Sequence, residues 1–205
     1  MKSFPDISKL IKKNVFNLTV IGEYKSLPEI KLEKQIKILL RGETCVGCNT
    51  LSNISIGDKF IDSPAIVSFQ HRIINFFVNC GEVKVQLWNG PGQEQFRSIF
   101  NLIIKDTDIV IFVYDISNSI SFRELNYHIE TTKDKLGNKF IGAIVANKSD
   151  LDHTELDVEQ GRILAKENNF KFYLVSAKDN QQAFIKCLDE LVSGYISAVH
   201  PELLN

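Results

Sequence analysis

Hydrophobic and polar positions divide the chain into short apolar runs, turns and longer amphipathic stretches. Gln35–Leu40 reads as a strand, and a glycine-containing turn leads from it into a short helix from about Gly47 to Ile54. Residues 65–79 and 82–88 read as two strands joined by the tight turn Asn79-Cys80-Gly81, hence antiparallel. Ile109–Tyr114 and Ile141–Ala146 are continuous apolar runs of the kind buried on both faces of a sheet. Phe122, Leu125 and Ile129 recur at helical spacing between them. A helix is expected over Val158–Asn168, and Phe170–Val175 is the last strand. Phe184, Cys187, Leu188, Leu191, Tyr195 and Val199 form an i, i+3, i+4, i+7 stripe on a final helix. Strands alternating with helices predict an α/β fold, a mostly parallel sheet covered on both faces. Ligands of such sheets sit beyond the carboxyl ends of the strands, which directs attention to the loops after Leu40, Trp88, Ala146 and Val175.

A charged stretch at Lys31-Leu32-Glu33-Lys34 separates this pattern from what precedes it, so the chain divides into an N-terminal extension, 1–34, and a domain, 35–205. The extension carries 7 Lys against 4 acids, a charge of +3, and reads as a short helix after Pro5 followed by an extended stretch. One reading has it packed on the core as an arm. Another makes it a peripheral contact with a partner or a membrane surface.

Composition narrows the class. The 205 residues carry 24 Lys+Arg and 25 Asp+Glu, a net charge of −1, with 44% hydrophobic and 24% charged residues. That is an ordinary globular chain of one domain, and its balance excludes nucleic-acid binding through a broad basic surface. No run approaches the ~18 apolar residues of a membrane span. Pro5 and Asp6 interrupt the start where a signal peptide needs its apolar run, position 2 is not Gly, and the tail from His200 to Asn205 has no Cys to prenylate. A cytoplasmic protein with reduced cysteines and no lipid anchor is the expectation.

Three of the loops carry recognisable chemistry. Gly42-Glu43-Thr44-Cys45-Val46-Gly47-Cys48-Asn49-Thr50 lies between a strand and a helix, with glycines five apart. Such a loop can turn its N–H groups inward around a phosphate at the helix N-terminus. A phosphate loop of this kind continues with Lys and Ser or Thr, where this chain has Cys48 and Asn49. Taken alone, these residues favour a plain strand–turn–helix connection. After Ala146 comes Asn147-Lys148-Ser149-Asp150, and after Val175 comes Ser176-Ala177-Lys178. A carboxylate at Asp150 can accept two hydrogen bonds from guanine N1 and N2, which adenine does not offer. Asn147 can bond the base edge and the neighbouring loop, the Lys148 stem can lie over the ring, and the Ala177 N–H can donate to guanine O6. Lys178 either helps position this loop or is solvated. The two loops at the ends of successive strands make chance a poor explanation.

With these residues in view, the chain resembles the Ras-like small GTPases, and the Rab branch most closely, from about Gln35 to Ser197. Trp88-Asn89-Gly90-Pro91-Gly92-Gln93-Glu94-Gln95-Phe96 is similar to the Rab pattern Trp-Asp-Thr-Ala-Gly-Gln-Glu-Arg-Phe. Val113-Tyr114-Asp115, Asn147–Asp150 and Ser176–Lys178 match family positions too. The resemblance implies a Ras-like P-loop NTPase fold with a six-stranded sheet. It also implies a guanine-nucleotide site that includes Gly92 and a catalytic Gln93 that orients water. Protein effectors or regulators at a switch-like surface, and a place in membrane trafficking, are implied in the same way.

The departures gather where phosphate and metal are handled. The family's phosphate-binding Lys is Cys48, its metal-binding hydroxyl is Asn49, and its metal-side acid is Asn89. Aligning Val67-Ser68-Phe69 places Pro64 where the first switch has its Thr, and the preceding loop is a few residues short. Pro has neither hydroxyl nor N–H to offer. Thr50 is expected to face elsewhere on the helix, and Arg41 is a conceivable replacement cation, though from the wrong side of the loop. Losing charge-assisted contacts worth roughly 1.5–3 kcal/mol each removes about 4–7 kcal/mol, or roughly three to five orders of magnitude of affinity. Weak GDP or GTP binding, doubtful magnesium and impaired or absent hydrolysis follow as expectations. The alternative is a nucleotide-free pseudo-GTPase that serves as an interaction module.

Cys45-Val46-Gly47-Cys48 also has the spacing of a redox pair at a helix N-terminus, where the dipole lowers a thiol pKa. A regulatory disulfide across it is a further reading. No metal site is assigned, because Cys80, Cys187 and the four His are scattered. His128 is expected to be exposed surface.

Overall fold

A computed structural model describes residues 29–30, 32, 35–61, 69–78, 81–91, 100 and 103–203. Its strands are β1 (Glu29–Ile30), β2 (Ile36–Arg41), β3 (Gln70–Val78), β4 (Gly81–Asn89), β5 (Ile109–Asp115), β6 (Ile141–Asn147) and β7 (Lys171–Leu174). Its helices are α1 (Cys48–Ile54), α2 (Ser119–Leu136), α3 (Glu155–Glu167) and α4 (Gln181–Val199), followed by a 3-10 turn at Pro201–Leu203. The expected start of β3 at residues 65–68, the turn residues 79 and 80, and the helix after Pro5 lie outside the described residues.

The sheet runs β3–β4–β2–β5–β6–β7, parallel except where β3 meets β4. β3 covers one edge of β4 from Gly81 to Asn89, so β1 and β2 share the other edge, β1 opposite Glu82 and Val83 and β2 opposite Val85–Asn89. Seven strands therefore occupy six lanes. β1 belongs to the segment ahead of Gln35, and periodicity gave no sign of so short a pairing.

β5 is central, and all seven of its residues are buried. Side chains alternate across a strand, so Ile109, Ile111 and Val113 face one core, with Leu51 of α1 and Phe184, Leu188 and Leu191 of α4. Val110, Phe112 and Tyr114 face the other, with Leu125 and Ile129 of α2 and Val158, Leu164 and Ala165 of α3. The expected layering, helices on both faces of a mostly parallel sheet, is present.

Polar caps set where the helices begin. Asn118 Oδ1 accepts from the N–H groups of Ile120 and Ser121 at 3.0 and 3.3 Å, starting α2. Thr154 and Asp157 form a reciprocal capping box, which starts α3 three residues ahead of the apolar stripe that begins at Val158. Strand pairing brings Leu40 opposite Asn89, Asp115 opposite Asn147 and Ala146 opposite Leu174. The carboxyl ends of β2, β4, β5, β6 and β7 thus open on one edge of the sheet.

Candidate functional site

The loop from Gly42 to Gly47 leaves β2 under tight steric control. A Cβ on Gly42 would lie 2.2 Å from the Val113 carbonyl oxygen and 2.9 Å from Val46 Cγ2, so only glycine lets the loop cross β5 this closely. Cys45 (φ 66°) and Gly47 (φ 99°) take left-handed conformations around buried Val46. A Cβ on Gly47 would meet Asn147 Nδ2 at 2.3 Å. α1 then starts at Cys48 with no side-chain cap.

Two further ties fasten this loop to α2. The buried Arg41 guanidinium donates to Thr132 Oγ1 at 2.5 Å and to Thr131 Oγ1 at 2.7 Å, and its carbon lies 4.6 Å from the Phe100 ring centroid. Arg41 is therefore committed to α2, in keeping with its expected place on the wrong side of the loop. His128 Nε2 lies 3.0 Å from Glu43 Oε1. The expectation that His128 is exposed is corrected: it is 6% exposed, because its turn of α2 faces the loop and Glu43 supplies a polar partner. Local sequence gives no sign of this pair; a charged Arg41 ending the apolar run Ile38-Leu39-Leu40 was the one signal that a buried partner was needed.

Asn147 joins the loops. Its Nδ2 donates to the Val46 carbonyl at 2.9 Å, and its Oδ1 accepts from the Ala177 N–H at 3.1 Å. Both ends of an amide that is 1% exposed thus hold neighbouring loops together. The Ala177 N–H, expected on guanine O6, is given to Asn147 here. Lys148 is left-handed (φ 65°), and its ammonium pairs with Asp115 Oδ2 at 2.8 Å. Asp115 Oδ1 in turn accepts from the N–H and hydroxyl of Ser117 at 3.0 and 2.7 Å. Ser176 Oγ donates to Asp150 Oδ1 at 2.5 Å while accepting from the Asp179 N–H at 2.9 Å. The Asp150 carboxylate is therefore held in one orientation at an exposed position, while Lys178 is exposed beyond it.

The first turn of α1 and the end of β4 carry no charged side chain. Burial of the Cys48 sulfur pushes its thiol up to about 12, the opposite direction from an activated redox cysteine. Cys45 is exposed, and both thiols are free. Asn49 and Thr50 are half-buried in the first turn of α1. Asn89 is fully buried at the end of β4, with neither amide atom paired among the described residues. Gly92, Gln93 and Pro64 lie outside the described residues.

Magnesium takes a near-octahedral set of oxygens, drawn from carboxylates, phosphates and water. Cys48, Asn49 and Asn89 bring no anionic oxygen, and half of the Asn89 amide is an N–H2 group that turns a donor, not a lone pair, toward its surroundings. Among the described residues, these three do not supply the donor set that magnesium takes. No group of three or more metal-ligating side chains occurs elsewhere among the described residues.

Loops at the carboxyl edge of a six-lane sheet, with this strand order, define a class of protein. Residues 37–193 match the model of the Ras family, and the chain belongs to that family of small GTPases, on its Rab-like branch. A relative is the GTP-binding protein yptV2 of Volvox carteri, 31% identical over 164 residues, which span 77% of this chain and 76% of the relative. No helix among the described residues is long and apolar enough to cross a membrane.

Proposed function

We propose that this is a divergent Rab-like protein that binds GDP or GTP weakly, hydrolyses GTP slowly or not at all, and works in the cytoplasm through protein partners. Membrane trafficking is the setting that its family membership suggests. The observation that carries this reading is the contrast between the two ends of one site. At the base end, Ser176 orients the Asp150 carboxylate, and Asn147 binds the loops together. At the phosphate end, Cys48 stands in place of the cation and Asn89 in place of the acid. Transition-state charge on a transferring phosphoryl group needs such cations, so Gln93 has little to act with.

A fluorescent GDP and GTP titration against wild type and Asp150→Ala tests the binding. Micromolar affinity lost in Asp150→Ala supports it, whereas no binding at high micromolar refutes it. Turnover equal to that of ordinary small GTPases and abolished by Gln93→Leu would refute the catalytic half.

One observation favours the second reading, a nucleotide-free pseudo-GTPase. The loop is held by Asn147, Arg41 and Glu43, contacts that the protein makes with itself. A purified protein that releases no nucleotide on denaturation, and binds none, would establish this reading.

A further inference from the structure

Charge in this site is distributed in a way that bears on which guanosine compounds it takes. Between Gly42 and Thr50 the only charged side chain is Glu43, which is negative and lies 3.0 Å from His128. Arg41, the nearest cation along the chain, is turned into α2 and occupied by Thr131 and Thr132. Lys148 is tied to Asp115 at 2.8 Å, within the loops that would hold a base. Cys48 stays protonated through the neutral range. Asn89, buried with both amide atoms unpaired among the described residues, is polar but uncharged.

A phosphate chain gains affinity from each added phosphoryl group only where a cation or metal offsets its charge and lost hydration. What remains for phosphate here, among the described residues, is backbone N–H groups around left-handed Cys45 and Gly47. Such groups hydrogen-bond one phosphate and then have no further charge to offer to a second or third.

We infer that the site holds guanosine nucleotides by the base, without a divalent cation and with little regard to phosphate number, so that guanosine monophosphate belongs to its ligand class beside the di- and triphosphate. This inference rests on the guanine-site reading above. It also changes what the bound state reports. A site that does not read the γ-phosphate does not switch with the GTP-to-GDP ratio; it responds to the total guanosine nucleotide concentration.

The experiment is a competition titration on the full chain. A fluorescent GMP probe is displaced by GMP, GDP, GTP and AMP, each in millimolar Mg²⁺ and again in excess EDTA. The expected result is that GMP, GDP and GTP compete within about tenfold of one another, that Mg²⁺ shifts none of them by more than about threefold, and that AMP does not compete. Asp150→Ala should abolish all three. Restoring the two charges and the hydroxyl with Cys48→Lys, Asn89→Asp and Asn49→Ser together should separate GDP from GMP by at least about a hundredfold and make GDP binding depend on magnesium. A wild-type preference for GDP or GTP over GMP beyond about tenfold, or a magnesium effect of that size, overturns the inference while leaving the guanine site standing. Failure of all three nucleotides to bind overturns both.

Discussion

Replacing Asn147 with Ala removes the amide that joins the Val46 and Ala177 loops. Two hydrogen bonds are lost, from Nδ2 to the Val46 carbonyl at 2.9 Å and from the Ala177 N–H to Oδ1 at 3.1 Å. Val46 and Ala177 are 1% and 4% exposed, so the stranded carbonyl and N–H gain little from water. A buried polar group left without a partner costs ~1–3 kcal/mol, which puts the pair at about 2–4 kcal/mol after partial relaxation. For a chain of this length each kcal/mol moves Tm by ~2–4 °C, so a fall of about 5–15 °C is expected. The assay is urea and thermal denaturation without nucleotide. A double-mutant cycle with Gly47→Ala sharpens it, because the added Cβ would meet Asn147 Nδ2 at 2.3 Å. Truncating Asn147 relieves that clash and leaves only the strain at φ 99°, so the double variant should be more stable than the sum of the singles by about 1 kcal/mol. Asp150→Ala, at an exposed position, should cost about 1 kcal/mol or less while removing guanine binding. An Asn147→Ala loss below about 0.5 kcal/mol, or an additive cycle, would refute the view of Asn147 as the joint between the loops.

Gly42→Ala pushes a methyl group to 2.2 Å from a backbone oxygen of the central strand, which cannot retreat, and should cost about 3 kcal/mol or more by urea denaturation. Of the three described cysteines, Cys45 should alkylate first under iodoacetamide at neutral pH, while Cys48, with its thiol pushed up to about 12, and buried Cys187, also pushed up by burial, wait for unfolding; peptide mass spectrometry reads the order. Hydrogen bonds from the Thr154 N–H and hydroxyl hold Asp157 below the usual carboxylate range. A folded-state pKa below the unfolded one stabilises above the unfolded value and is lost as pH falls through the folded value, so the acid limb of a Tm–pH curve should flatten in Asp157→Asn.

Much of this molecule is determined locally. Short continuous apolar runs such as Ile109–Tyr114 suit central strands, and the α4 stripe suits a face turned to a core. The departures at Cys48, Asn49 and Asn89 needed no structure either, because the loss of a charge or of a hydroxyl is a property of the residue itself. The capping box at Thr154 was also open to reading, since a polar residue followed three positions later by an acid is a local signal; the stripe at Val158 drew the boundary instead.

Only the tertiary structure decided which partners the polar groups take. Both ends of the Asn147 amide meet backbone of loops 101 and 30 residues away in the chain. His128 is buried because α2 crosses the loop that carries Glu43, 85 residues earlier. β1 pairs with β4 through backbone groups, which every residue carries alike. Burial and periodicity follow from a residue's own hydrophobicity and its near neighbours. A hydrogen bond depends on two groups, and chain folding alone brings the second one near.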